Sequence, residues 1–138
     1  MSAAISSELA RLVEVARLAR ERAYAPYSGF RVGAAIETPS GAVYSGANIE
    51  NASYGATICA ERSAVACMIA AGEKAIARVA VYTEGPTLSM PCGICRQVLG
   101  EFGPGATVVA AGPSGARSLP FGELMPEPFR FAPPGASS

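Results

Sequence analysis

The chain of 138 residues contains no histidine. Any metal ion it holds must therefore be bound by thiolates or carboxylates, because the commonest metal-binding side chain is missing. It also lacks a charge imbalance: eleven basic residues meet eleven acidic ones. A neutral chain has no built-in attraction for phosphate backbones or anionic membranes, so nucleic acid is a poor candidate partner. No apolar run approaches membrane-spanning length. Met1 to Ala10 has neither a basic flank nor a long apolar stretch, which argues against a secretory signal and for the cytoplasm. Residues 1–138 are of a size for a single domain with a substantial core, and neither a repeat nor a linker interrupts them.

What the chain does have is four cysteines. Two disulfides are one possibility. In a chain without secretion signals, with Cys92 and Cys95 in a C-x-x-C pair, metal binding is the favoured reading. Cys92 and Cys95 at the start of a helix fall on one face. Cys59 starts a second helix and completes a set of three. Three protein ligands leave a tetrahedral ion one open position, as a catalytic zinc requires. Helix N-termini also favour the thiolate form. Three thiolates on Zn²⁺ leave a net charge of −1, which a nearby cation must offset. Arg62, one turn beyond Cys59, is placed for this, and Arg96 is a second possibility; alternatively both are solvated surface charges. Glu61 is either a surface residue favoured by the helix dipole or a proton shuttle beside the open position. Cys67 has no partner at ligand spacing and reads as a buried small hydrophobe.

The elements follow from periodicity and punctuation. Residues 6–24 read as an amphipathic helix with Leu9, Leu12, Val13, Ala16, Leu18 and Ala19 on its apolar stripe, ended by Pro26. A hairpin follows, with strands over 30–37 and 42–47 around Pro39-Ser40-Gly41. Residues 48–56 form a polar loop suited to ligand contacts. The second helix starts at Thr57, as N-cap, or Ile58, and stops at Gly72. A strand over 78–83, a loop, and a third helix over 91–102 follow, with Pro91 in the first turn. Strands over 106–111 and 116–119, a helical turn over 121–125 and a frayed tail over about 132–138 complete the chain. This order predicts an α/β fold, a mixed sheet with helices on both faces. Both cysteine-bearing helices are then expected to begin near one edge of the sheet.

Cys-Ala-Glu-Arg at 59–62 followed by Pro-Cys-Gly-Ile-Cys-Arg-Gln at 91–97 resembles the small, homotetrameric, zinc-dependent cytidine deaminases. Residues 25–35, Gly46 to Gly55 and Glu123 to Phe129 are similar to further segments of that family. The resemblance implies a cytidine deaminase-like three-layer α/β/α sandwich with a mixed five-stranded sheet. It implies hydrolytic deamination of cytidine and 2′-deoxycytidine to the uridines with release of ammonia, as in pyrimidine salvage. Cys59, Cys92 and Cys95 would hold one Zn²⁺ per subunit. Glu61 would move protons between the attacking water, N3 of the base and the departing amine. Asn48 and Glu50 would hold the ribose 3′-hydroxyl, the Ala60 backbone N–H the base O2, and Phe30 would stack near the pyrimidine. Tyr54 belongs to the substrate loop. Phe129 would reach the base in a neighbouring subunit, giving a homotetramer with composite sites. Ala47 departs from the cysteine often found there in this family, at a position that is not a ligand. The competing readings are a deaminase of another small nucleoside such as blasticidin S, a structural zinc module, and a nucleic-acid editor.

Overall fold

The computed structural model describes residues 5–135. The last three residues of the expected tail, and the first four of the segment read for a signal, lie outside the described residues. Five strands form one sheet in the order β2-β1-β3-β4-β5. These are β1 (Val32–Glu37), β2 (Val43–Ala47), β3 (Arg78–Thr83), β4 (Thr107–Gly112) and β5 (Gly115–Pro120). β1 runs antiparallel to both β2 and β3, β3 and β4 are parallel, and β5 returns antiparallel to β4. The expected mixed sheet is therefore present. The parallel pair requires a crossover, and the third helix, α3 (Gly93–Phe102), supplies it.

Alternation along the central strands assigns the two faces. Ala35, Ala80, Tyr82, Val109 and Ala111 face α1 (Ser7–Arg20), which buries Leu9, Leu12 and Ala16 against them. Ala34, Ile36, Val79, Val81 and Val108 face α2 (Ala60–Ala70) and α3, and bury Met68 and Leu99. Each fully buried large side chain contributes about 1.5–3 kcal/mol through its removal from water. α1 lies so close that a Cβ on Gly33 would fall 1.9 Å from the Ala16 carbonyl oxygen. On the other face a Cβ on Gly46 would fall 2.6 Å from Ala64 N. Gly46 thus lets α2 press its small-residue face onto β2, and this fixes where α2 begins.

Several boundaries differ from the sequence reading, each for a tertiary reason. α1 ends at Arg20, with Glu21 as its C-cap, rather than near residue 24. Tyr24 is instead drawn into pairing: its N–H donates to Asn48 O and its carbonyl accepts from Glu50 N. Leu18, expected on the apolar stripe, is exposed, because the sheet covers only the face carrying Leu9, Leu12 and Ala16. β1 starts at Val32, not at residue 30. The N-cap of α2 is Cys59 rather than Thr57, and that of α3 is Cys92, so Pro91 precedes the helix. Cys67 is exposed, on the side of α2 turned away from the sheet, and is not a core residue. α4 (Phe121–Leu124) buries Phe121 beneath the β4–β5 edge.

Candidate active site

The end of the sheet where β3 finishes carries the chemistry. Val32 at the start of β1 pairs with Thr83 at the end of β3, and Gly33 pairs with Ala47 at the end of β2. α2 and α3 both begin at this end. The expectation of a sheet edge is thereby corrected: the site lies at the ends of central strands, where a parallel crossover leaves a crevice.

Cys59 and Cys92 each occupy an N-cap, and Cys95 lies one turn into α3. Their three Sγ atoms lie within 4.8 Å of one another, with Cys59 Sγ and Cys92 Sγ 3.8 Å apart. Thiolates about 2.3 Å from a tetrahedral zinc stand about 3.8 Å from one another, so the spacing fits the ion. All four cysteines are free thiols. Among the described residues no fourth histidine, cysteine, aspartate or glutamate joins the cluster. This removes the closed structural site from consideration, since Cys67 faces elsewhere.

The cluster cannot carry three charges unaided. Burial, followed by the charge of Glu61, pushes the Cys95 thiol well up. For Cys92 desolvation acts upward too, but hydrogen bonds from the Cys95 backbone, the Cys95 side chain and Cys59 more than offset it and leave that thiol below its ordinary value. One thiolate is favoured and another suppressed, so full ionisation of the set calls for a nearby positive charge. Arg62 supplies part of the compensation: its Nη2 donates to Cys59 Sγ at 3.6 Å and to the Thr57 carbonyl at 3.4 Å. Arg96 does not. Its Nε donates to Pro91 O at 2.7 Å and its Nη1 to Leu124 O at 3.0 Å, so it fastens the start of α3 to α4.

Glu61, in the first turn of α2, is 4% exposed. Burial pushes its carboxyl above the ordinary range, opposed by a backbone hydrogen bond and then by the Arg62 charge. A buried carboxyl whose proton is held more tightly than usual is suited to act as a general acid or base. Glu61 lines a cavity of about 220 Å³ together with Cys59, Cys92, Phe30, Asn48 and Thr83. Ala60 also lines it, and its N–H opens α2, where an N–H has no intrahelical partner.

The chain shows membership by comparison as well. The model of the cytidine and deoxycytidylate deaminase zinc-binding region matches residues 6–111. The chain belongs to this deaminase family. A cytidine deaminase of Halalkalibacterium halodurans is 43% identical over 120 residues, covering 86% of this chain and 91% of that one. A crystal structure of cytidine deaminase from Burkholderia pseudomallei superposes with a TM-score of 0.84 at 44% identity, covering 91% of this chain and all of the other. The cytidine deaminase of Mycobacterium tuberculosis gives a TM-score of 0.78 at 36% identity, with 91% and 100% covered. The mixed five-stranded sheet with its helices matches these solved structures, and the three-thiol cluster is compatible with the zinc-binding region that the family model describes.

The remaining expected site residues are not all in one place. Asn48 is buried at the cavity wall, but its side chain serves the backbone: Oδ1 accepts from Val32 N at 2.9 Å and Nδ2 donates to Phe30 O at 2.8 Å. It extends the β1 pairing and holds Phe30 at the rim. Glu50 and Tyr54 line a separate hollow of about 320 Å³ with Tyr27, Ser28 and Asn51, which touches the first at Thr57. The Glu50 carboxylate accepts from Tyr27 N at 2.8 Å and Ser28 N at 3.0 Å, and also from Ser28 Oγ. These bonds, the Ser28 hydroxyl first, hold its carboxyl below the usual range. Tyr54 is 78% exposed and meets Tyr27 edge to face. Phe129 is not at this cavity at all. It lies across α3 beside Gly100 and Pro104, 74% exposed, its carbonyl accepting from Gln97 Nε2 at 3.2 Å. The sequence reading missed Val32, Val81, Thr83, Ser89 and Met90, which complete the wall. The end of β3 was the available signal, since loops at strand ends beside a crossover line such crevices.

Proposed function

We propose that the protein is a zinc-dependent deaminase that hydrolyses cytidine and 2′-deoxycytidine to uridine and 2′-deoxyuridine, releasing ammonia. One observation carries the reading: a buried glutamate lines a cavity at a three-thiol cluster that has no fourth protein ligand among the described residues. Zinc, when bound there, supplies Lewis-acid activation of a water. Cys59, Cys92 and Cys95 hold the ion, and Arg62 offsets their charge. Glu61 accepts the proton of the attacking water, delivers one to N3 of the base, and passes the next to the amine that leaves C4 as ammonia. Its burial keeps bulk water from competing for those protons. The Ala60 N–H takes the base O2, and Phe30 covers the ring. Asn48 and Glu50 hold the ribose 3′-hydroxyl through lone pairs or N–H groups not already committed to the backbone.

The site is shared between copies of the chain in this reading. The cavity, at about 220 Å³, is smaller than the roughly 300 Å³ of ordinary small-molecule sites, and Tyr54 and Phe129 both stand exposed. A homotetramer, in which Phe129 of one copy closes the cavity of another, supplies the missing wall. Free thiols at the metal site suit a reducing compartment and support a cytoplasmic location. The test is direct: purified protein should deplete the absorbance of cytidine, and a chelator should stop it. No depletion by zinc-loaded protein would reject the assignment.

A further inference from the structure

The polar groups that line the cavity divide in two. Asn48 is committed to the backbone of residues 30 and 32, and Thr57 Oγ1 accepts from Asn51 N at 3.2 Å. Thr83 is committed to nothing. Its side chain is 1% exposed, and Oγ1 has no hydrogen-bond partner among the described residues. The last residue of β3, it lies on the same strand face as Val79 and Val81, the row packed under α2 and α3. Val79 and Val81 fill core, and Val81 and Thr83 reach the cavity wall. Valine has nearly the same shape as threonine and would fill this position without leaving a polar atom unpaired. A buried unpaired hydroxyl costs about 1–3 kcal/mol. The cost disappears when a ligand in the cavity supplies the partner.

We propose that Thr83 is a substrate-binding residue, its hydroxyl hydrogen-bonding a polar atom of the pyrimidine ring seated between Phe30 and Glu61. The inference rests on the deaminase reading and deepens it by naming a contact from the sheet floor. Thr83 is braced for that task. Its neighbour across the ladder is Val32, whose N–H is held by Asn48, and its carbonyl lies where a Cβ on Gly112 would come within 2.6 Å. The backbone of residue 83 therefore has little room to shift, and the unpaired hydroxyl is held in the layer of residues that forms the cavity wall.

The experiment compares wild type with Thr83→Val and Thr83→Ser as zinc-loaded full-length proteins. Three quantities are read: kcat and KM for cytidine, the rise in melting temperature caused by saturating uridine, and the melting temperature without ligand. Thr83→Val should lower kcat/KM by about tenfold, the loss of one net hydrogen bond of about 1.4 kcal/mol. The uridine-induced rise should shrink, and the ligand-free melting temperature should stay level or increase, because an unpaired buried hydroxyl is gone. Thr83→Ser keeps the hydroxyl and should recover most of the kcat/KM. A kcat/KM for Thr83→Val within about twofold of wild type overturns the proposal. So does equal impairment of both variants, which would assign the effect to lost methyl packing. If wild type fails on cytidine and is not stabilised by uridine, the deaminase reading itself fails, before any variant is compared.

Discussion

The two ends of the crevice are built differently. At the metal end, Cys59, Glu61, Cys92 and Cys95 sit on the first turns of two helices that are packed on the sheet. At the other end, the hollow proposed for the ribose, Glu50 and Tyr54 lie in the connection between β2 and α2, held by a turn at Tyr27 and Ser28 and open to solvent. At the first end all three thiols and Glu61 come from one chain. The second exposes Tyr54 to solvent. Chemistry is thus held on rigid elements, while recognition is left to loops and to whatever covers them.

The sharpest test of this contrast is Glu61→Gln. It should leave zinc bound and the fold intact while turnover falls by at least about a hundredfold, as for loss of a general acid/base. Metal analysis and a cytidine assay on the same sample check it. Near-normal turnover would move the proton chemistry away from the metal end.

Next in size is removal of the strap that carries Phe129. Truncation after Pro126 should leave a folded, zinc-containing protein whose activity is down at least about tenfold, as when an aromatic anchor of an interface is lost. Light scattering should find a tetramer in the parent. Mixed Phe129→Ala and Glu61→Gln subunits should recover activity above both parents, because each lacks a different part of a shared site. A fully active monomer would show that one chain closes its own cavity and would erase the contrast.

Arg62→Gln should act on the metal end alone. Without a cation beside Cys59, zinc should be lost to a competing chelator about tenfold more readily, a usual effect of removing a group that orients a metal ligand. Unchanged zinc retention would make Arg62 a support for the Thr57 carbonyl only.

The smallest effect belongs to the ribose end. Glu50 has a lowered folded pKa, so its contribution to holding the turn is present above the ordinary carboxylate range. It is lost as pH falls through the depressed folded value. Ser28→Ala removes the largest cause of the depression and should move that loss to higher pH. The pH at which KM for cytidine begins to rise on acidification should increase, with kcat little altered. An unchanged KM profile would separate Glu50 from ribose binding.

Local sequence determined the metal end. A three-residue spacing puts Cys92 and Cys95 on one side of a helix start wherever that helix lies, and Cys59 and Arg62 are related in the same way. Short apolar runs over 78–83 and 106–111 likewise declared buried strands, because a strand covered on both faces is apolar along its length. Tertiary structure decided the rest. The N-caps moved from Thr57 to Cys59 and onto Cys92 because the entry of each helix is set by its packing on the sheet. Cys67 became a surface residue because the sheet lies on the opposite side of α2. Arg96 was taken by the Pro91 and Leu124 carbonyls, which only the folded chain brings beside it. Thr83 gave no signal in the sequence: a threonine ending a strand is ordinary there. Whether its hydroxyl meets a partner or an empty cavity depends on groups at residues 30, 48, 61 and 92, and only folding assembles them around it.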